Sequence, residues 1–371
     1  MRIAVPLETA PGELRVALTP ESVVRLVKGG HEIQMQAGAG ERAGFPDSVY
    51  AAAGASVVDG VALYAGAMLV CRVQAPSRDE VAAMPRNVGL LSLLNPARNR
   101  ELLQQLAERG ITSLALELVP RITRAQSMDV LSSQSTVAGY KAVLIGAATL
   151  PKFLPMLTTA AGTVSPAKVF IIGAGVAGLQ AIATARRLGG VVSAFDVRPA
   201  AREQVQSLGA TFVASELVAA ASETSGGYAT VQSDDDALRT RDALTAHLRE
   251  MDLVVTTAQI PGRDAPRLIT AAMVAGMKPG SVIVDLAAES GGNCELTRAG
   301  ETVQAGMVSI LGPLNIAASV PFHASQMFSK NVVALVTHLS KDGALVIDAA
   351  DEIIGPMTVV RDGHVVATSP S

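Results

Sequence analysis

The chain lacks much of what a secreted, nucleic-acid-binding or membrane-spanning protein needs. None of its 371 residues is tryptophan and only 3% are aromatic. Its core must therefore be built from Val, Ile, Leu and Ala on strand and helix faces. There are two cysteines, Cys71 and Cys294. They lie far apart and form no C-x-x-C, so a reduced, cytosolic setting is expected. The net charge of −3 and pI near 6.0 give no electrostatic basis for binding nucleic acid or an anionic membrane. Mean hydropathy is high at +0.36, yet no window of about 18 residues is free of charges and turn signals. The apolar residues are spread over many short runs, as buried parallel strands require. Met1 leads directly into RIAVP, a strand-type run, so no secretory signal is expected. Catalytic constellations are scarce too. The five histidines, His31, His247, His323, His338 and His364, are scattered. None is at metal-ligand spacing from a Cys or carboxylate, and each reads as a surface or packing residue. G-x-S-x-G is absent.

What is present centres on AKVFIIGAGVAGLQA, Ala167 to Ala181. A strand-type run, Lys168 to Ile172, enters Gly173-Ala174-Gly175-Val176-Ala177-Gly178, and an Ala-rich helical pattern follows. Strand, glycine turn and helix form the context that gives G-x-G-x-x-G its meaning. Gly173 permits the tight turn, Gly175 lets backbone approach a pyrophosphate, and Gly178 allows close helix–strand packing. The free N–H groups of the helix start then face the phosphates. A second strand, Val191 to Phe195, ends at Asp196, 18 residues beyond Gly178. A carboxylate there accepts from an adenosine ribose and disfavours a 2′-phosphate, so NAD(H) is expected over NADP(H).

Taken in order, the chain alternates short strand-type and helical runs. Before the glycine turn, strands are expected at Arg2–Pro6, His31–Gln36, Met68–Val73, Val88–Leu94 and Ile111–Leu118. Helices are expected from the Thr19-Pro20 cap to Lys28, from Pro46-Asp47 toward Ala53, and over Asn99–Arg109. After the turn come a helix around Arg202–Leu208 and strands near Thr211–Ala214, Leu253–Ala258, Ser281–Leu286 and Val308–Leu311. This is the pattern of a parallel α/β protein. Phe322–Leu339 is an amphipathic helix that can return to complete the first domain, and Thr358–Val366 reads as a hairpin around Asp362-Gly363. Ser222–Arg241, which includes Gly227 and Tyr228, is rich in Ser, Thr, Gly and Asp and reads as a long exposed loop, either functional or a solvated insertion.

Ligands in open α/β sheets bind beyond the carboxyl ends of strands. Two such turns are candidates for lining the nicotinamide end: Ala258-Gln259-Ile260-Pro261-Gly262, and Glu289 ahead of Gly291-Gly292-Asn293-Cys294. Plain turns are the alternative for both. A third candidate is Arg121, Gln126, Asp129 and Ser132, in a polar segment between the two α/β runs. A guanidinium can hold a diphosphate oxygen, and an amide and a carboxylate can fix a carboxamide. An ordinary capped linker explains the same residue types.

PRITRAQSMDVLSSQSTVAGY, from Pro120 to Tyr140, resembles the loop that marks the NAD(H)-binding components of proton-translocating NAD(P) transhydrogenases, a family related to alanine dehydrogenase. MRIAVPLETAPGELRVALTPE, AFDVRPAAREQVQSLGA, SGGYA, VVTTAQIPGRDAPRLIT and MKPGSVIVDLAAESGGNCELT extend the resemblance, in order, over nearly the whole chain. It implies two Rossmann-like parallel-sheet domains with a nucleotide cleft between them, formed by residues 1–137 plus about 318–371, and by 138–317. It implies that Arg121, Gln126, Asp129 and Ser132 take the nicotinamide side, with Arg121, Gln126 and Asp129 positioning the ring rather than acting as acid or base. The cofactor-binding set it implies is completed by Gly173 to Gly178, Asp196, Val197, Arg198, Gly227, Tyr228, Thr257, Ala258, Gln259 and Glu289, with the Tyr228 segment closing over the cofactor. It further implies a homodimer that passes hydride from NADH to NADP⁺ on a partner beta subunit, beside a membrane subunit, and is held at the inner membrane on the cytoplasmic side through those partners. Alanine dehydrogenases place a lysine and a histidine where this chain has Gln74 and Leu93, which bind no carboxylate and move no proton. Gln259 stands where the resemblance leads one to expect leucine. An alanine-dehydrogenase-like enzyme is the alternative within the family, and a non-catalytic NAD-binding sensor the alternative outside it.

Overall fold

The computed structural model describes residues 1–60, 62–213, 244–260 and 263–366. Gly227 and Tyr228, with the rest of the 222–241 segment, lie outside the described residues, as do Pro261 and Gly262. The chain divides into two compact units, Met1–Gln134 with Ala317–Pro370, and Ser135–Ile316.

The first unit is built on an eight-stranded sheet. Six strands are parallel, in the order Thr112–Ala115, Gly89–Ser92, Leu69–Cys71, Arg2–Val5, Glu32–Gln36 and Ser56–Val58. The hairpin Thr358–Arg361/His364–Val365 adds antiparallel to Thr112–Ala115, with Asp362 and Gly363 at positive φ in its turn. Strand residues alternate between two apolar clusters. Ile3 and Val5 face one, and Ala4 faces the other. Burial on both faces explains why these strands read as short continuous apolar runs.

The helix Pro321–Leu339 covers one of those faces. Its Phe328, Val332, Leu335, Val336 and Leu339 share a cluster with Ile3, Val5 and Met35. Its polar residues bind the rest of the unit. Ser325 Oγ accepts the Val16 N–H at 3.0 Å, Ser329 Oγ accepts the Thr19 N–H at 3.0 Å, and Asn331 donates to the Ser127 carbonyl at 2.8 Å.

The second unit is built on a sheet of seven strands among the described residues, in the order Thr211–Phe212, Val191–Phe195, Lys168–Ile172, Leu253–Thr256, Val282–Asp285, Val308–Leu311 and Thr302–Ala305. All pair in parallel except the last, an antiparallel edge. The order reverses between Lys168–Ile172 and Leu253–Thr256. Gly173 and Thr257 thus lie at a topological switch point, where open α/β sheets bind ligands. Glycines seat the helix Val130–Thr149 here. A Cβ on Gly139 would lie 2.0 Å from the Ala177 carbonyl oxygen, and one on Gly146 2.5 Å from Leu253 Cδ1.

Several elements differ from the sequence reading. The sheets are mixed, because edge strands join antiparallel. The run from Ile111 leaves its strand at Ala115 and turns through the 3₁₀ segment Leu116–Leu118, where Glu117 accepts N–H groups of Leu94 and Asn95. Thr19 precedes the helix Pro20–Lys28, but its side chain accepts no helix N–H. Thr302–Ala305 and the exposed hairpin Leu157–Thr159/Gly162–Val164 have no strong apolar alternation and were not foreseen.

Asp351 anchors the turn before the helix Ile354–Met357. Its Oδ1 accepts the N–H groups of Ile353 at 2.8 Å and Ile354 at 3.0 Å, and lies 3.2 Å from His338 Nε2. Desolvation opposes its charge, but those donors outweigh it and hold its pKa down from 3.8 to about 2. A depressed folded pKa gives stability that is present above the unfolded value and lost as pH falls through the folded one. Thermal midpoints of wild type and Asp351→Asn should therefore converge between about pH 4 and pH 2. A difference that stays constant over that range would show that the charge contributes nothing.

Candidate functional site

The three motif glycines of the second unit are glycine for three different reasons. Gly173 has φ +96°, and a Cβ there would meet Thr257 Oγ1 at 2.6 Å. A Cβ on Gly178 would stand 1.8 Å from the Gly173 carbonyl oxygen, so close packing forbids it. Gly175 has neither constraint. Its φ of −76° and ψ of −167° suit any residue, and a Cβ would meet nothing within 4 Å. Glycine at 175 therefore leaves open the space ahead of the helix Val176–Arg187. Gly175 at its N-cap has no side chain to cap that helix, so its first N–H groups and its positive end face that space. Val176 is exposed there, Ala177 is half-buried and Ala174 is buried. An open approach, uncapped donors and a positive helix end fit a dinucleotide pyrophosphate.

Asp196 is buried at the end of Val191–Phe195, and its carboxylate accepts four hydrogen bonds. Oδ2 takes the Ala174 N–H at 2.7 Å and Arg198 Nη2 at 3.0 Å. Oδ1 takes the Arg198 N–H and Arg198 Nε, each at 2.9 Å. The carboxylate foreseen as a ribose acceptor thus also secures the glycine turn. Val197, between the two charged residues, is half-buried.

The turn after Leu253–Thr256 is tied to the glycine turn and to the next strand. Thr257 Oγ1 donates to the Gly173 carbonyl at 3.0 Å, and Gln259 Nε2 to the Leu286 carbonyl at 3.0 Å. Asn293 bridges this turn to its own: its Oδ1 accepts the Ala258 N–H at 3.0 Å, and its Nδ2 donates to the Ala258 and Pro266 carbonyls at 2.8 and 2.9 Å. Asp285 is fully buried and accepts from Thr256, Ala287, Cys294 and Thr297. Glu289 accepts the Asn315 N–H at 2.6 Å. Asn293 belongs to a turn that the sequence marks as a candidate lining, but its bridge to Ala258 and the buried role of Asp285 have no counterpart in the sequence reading. An aspartate closing a buried strand, as at Asp196, was the available signal for Asp285.

In the first unit Arg121, Gln126, Asp129 and Ser132 fall on the 3₁₀ segment Thr123–Met128 and its flanks. Asp129 and Ser132 are brought together: Asp129 accepts the Ser132 N–H at 2.9 Å and its Oγ at 2.6 Å. That is N-cap geometry for the helix that begins at Val130. Arg121 and Gln126 are exposed, and the Gln126 side chain has no hydrogen bond among the described residues. The segment is held by the Asn331 bond to Ser127 and by ion pairs of Arg124 with Glu352 and, at 3.6 Å, Asp351.

Beside this lies a buried charged network. Arg15 is clamped side-on by Glu13, Nε to Oε1 at 2.8 Å and Nη2 to Oε2 at 2.6 Å, while its Nη1 donates to Gln134 at 2.7 Å. Gln74 Nε2 donates to Glu13 Oε2 at 2.9 Å. Arg72 lies 3.1 Å from Glu80 and 3.6 Å from Glu8. Burial pushes the Glu8 carboxyl up, against the attraction of Arg72 and the N–H groups of Val73 and Gln74. Leu93 is partly buried against the apolar cluster.

The histidines are taken up elsewhere. His247 bonds Ser193 at 2.8 Å and meets Phe170 edge-on, and His323 packs against Phe322. Burial raises both thiols. No group of His, Cys, Asp or Glu suited to a metal occurs among the described residues.

Comparison with known proteins bears on this arrangement. The family models "Alanine dehydrogenase/PNT, N-terminal domain" and "Alanine dehydrogenase/PNT, C-terminal domain" match residues 4–138 and 142–368. The chain is 46% identical over 375 residues to an NAD(P) transhydrogenase alpha-subunit chain of Rhodospirillum rubrum, covering 99% of this chain and 98% of that one. It is 36% identical over 302 residues to alanine dehydrogenase of Halomonas elongata, covering 80% of this chain and 75% of that enzyme. A crystal structure of transhydrogenase from Sinorhizobium meliloti superposes with a TM-score of 0.90 at 44% identity, covering 99% of this chain and 100% of that one. With both family domains matched in order along nearly its whole length, the chain belongs to the alanine dehydrogenase/PNT family.

Proposed function

We propose that the chain is the NAD(H)-binding component of a proton-translocating NAD(P) transhydrogenase, passing hydride from NADH to NADP⁺ held on a partner subunit. The observation that carries this over an amino-acid dehydrogenase is the fate of Arg15. Its guanidinium faces Glu13 and Gln134, and Gln74 is turned onto the same Glu13. An amino-acid substrate needs a cation for its carboxylate and a group to move its amine proton. Gln74 and Leu93 themselves supply neither, and the Arg15 cation beside Gln74 is engaged by Glu13. Transfer between two nicotinamide rings requires no such groups, because a hydride leaves one ring and enters the other with no proton exchanged. The 46% identity to the Rhodospirillum rubrum transhydrogenase chain supports the same reading.

NADH, when bound, supplies the hydride. Gly175 and the N–H groups of Val176, Ala177 and Gly178 hold its pyrophosphate, and Asp196, Val197 and Arg198 its adenosine ribose. Thr257, Ala258, Gln259 and Glu289 line the site in the second unit, with Gly227 and Tyr228 assigned from the resemblance alone. In the first unit Arg121, Gln126, Asp129 and Ser132 take the nicotinamide side. Asp129 and Ser132 fix the segment, which leaves the exposed Gln126 amide to orient the carboxamide. The work of these residues is positioning and exclusion of water.

In this reading the membrane-spanning and NADP(H)-binding subunits are separate polypeptides, and the chain is held at the cytoplasmic face of the inner membrane through them. No helix among the described residues is long and apolar enough to cross a membrane. The chain acts as a homodimer. The exposed hairpin Leu157–Thr159/Gly162–Val164, with Phe153 at 59% and Met156 at 62% exposure beside it, offers an apolar surface for a second copy.

Gly175→Ala should leave the unfolding free energy within about 0.5 kcal/mol of wild type while weakening NADH about tenfold or more, roughly 1.4 kcal/mol. Denaturant titration and nucleotide fluorescence read the two quantities, and wild-type affinity would remove the pyrophosphate from this turn. Gln126→Ala should keep NADH binding largely intact but slow hydride transfer in the complex reconstituted with its partners; undiminished turnover would end that role. Sedimentation equilibrium should give twice the 38.1 kDa chain mass, and a monomer at all concentrations would contradict the dimer.

A further inference from the structure

Asp196 is expected to select NAD(H) by repelling a 2′-phosphate, yet in this protein it is not an isolated negative charge. Arg198 Nε and Nη2 lie side-on against its two oxygens at 2.9 and 3.0 Å. The Asp196 side chain is 7% exposed and that of Arg198 17%. A carboxylate offers about four lone-pair sites. The N–H groups of Ala174 and Arg198, together with the guanidinium, occupy all four. The pair is close to neutral, so simple repulsion is a weak filter against a 2′-phosphate. A bidentate guanidinium is also the group best shaped to hold one.

We propose that Arg198 determines specificity at the 2′-position: Asp196 sequesters a guanidinium that would otherwise accept a 2′-phosphate. This rests on the reading of the glycine turn as a dinucleotide site. Asp196 acts twice in this arrangement. It presents acceptors that a ribose hydroxyl can use once Arg198 yields one of them, and it withholds the cation that a phosphate would need. A phosphate must break both charged hydrogen bonds to recruit Arg198, leaving Asp196 with only its two backbone donors beside a new anion. A hydroxyl needs only one of them moved. The discrimination therefore belongs to the pair and not to the carboxylate alone.

Equilibrium binding of NADH and of NADPH to the intact chain tests this. Absence of tryptophan leaves nucleotide fluorescence unobscured, and calorimetry gives an independent value. Asp196→Asn should raise NADPH affinity about tenfold, roughly 1.4 kcal/mol, and the gain should vanish in Asp196→Asn/Arg198→Ala. A gain that survives in the double variant would mean that relief of repulsion suffices, and would overturn the proposal; so would no gain in a folded Asp196→Asn. Because Asp196 also secures Ala174, Asp196→Asn can fail to fold, which thermal melting shows. Arg198→Ala, which keeps the Ala174 bond, then decides. Its preference for NADH over NADPH should grow several-fold, since an unneutralised carboxylate remains, and an unchanged ratio would overturn the proposal. If wild type binds neither nucleotide, the dinucleotide reading falls, and the proposal with it. That outcome is distinct from NADH binding with an unaltered ratio.

Discussion

The hydrogen bonds that Ser325, Ser329 and Asn331 make from the returning helix hold the first unit together. They join positions 309, 310 and 204 residues apart in the chain. The helix places Phe328, Val332 and Leu339 against the sheet, and its polar groups satisfy backbone that burial would otherwise leave unpaired, at a cost of about 1–3 kcal/mol each. The segment bearing Gln126 depends on this, because its Ser127 carbonyl is held by Asn331 and its Arg124 by Asp351 and Glu352. A positioning residue on a 3₁₀ turn is only as well placed as the element beneath it.

Carboxylates beyond the carboxyl ends of the strands do comparable work in both units. Glu8 accepts the N–H groups of Val73 and Gln74, Glu117 those of Leu94 and Asn95, Asp196 that of Ala174, and Asp285 that of Cys294. Each accepts from a turn on a different segment. Burial raises Glu8 and Glu117 despite these donors, so desolvation is not fully offset there. What results is stiff turns where a ligand site needs them. The same habit closes Arg15 with Glu13: a charge pair that in an open pocket would meet a substrate is here satisfied internally.

The parallel α/β architecture was legible because its strands are buried on both faces and so appear as short apolar runs. The glycine turn was legible because its spacing has a mechanical cause, and the structure separates the torsional need at Gly173, the packing need at Gly178 and the open space at Gly175. Edge elements were not legible. Thr302–Ala305 alternates between exposed and half-buried residues, and the 157–164 hairpin is exposed throughout, so neither carries a strong hydrophobic signal. Partners of polar residues were hidden for another reason. Gln134 meets Arg15 across 119 residues and Asn293 meets Ala258 across 35, and no local pattern encodes such pairings. The saturation of Asp196 was hidden although Arg198 is only two residues away, because sequence spacing does not show that both oxygens are engaged.

The second unit is an insertion within the first, and this orders events during synthesis. Residues 135–316 leave the ribosome as one uninterrupted stretch and can fold as a unit when the last of them emerges. The first unit cannot. Its six parallel strands are made early, but the helix Pro321–Leu339 and the edge hairpin that complete it are made last. Until then Ile3, Val5 and Met35 lack their cover, an aggregation-prone state for a nascent chain. The half of the protein made first is therefore the half finished last, and the apolar face of its sheet waits for a cover that the chain supplies only after residue 320.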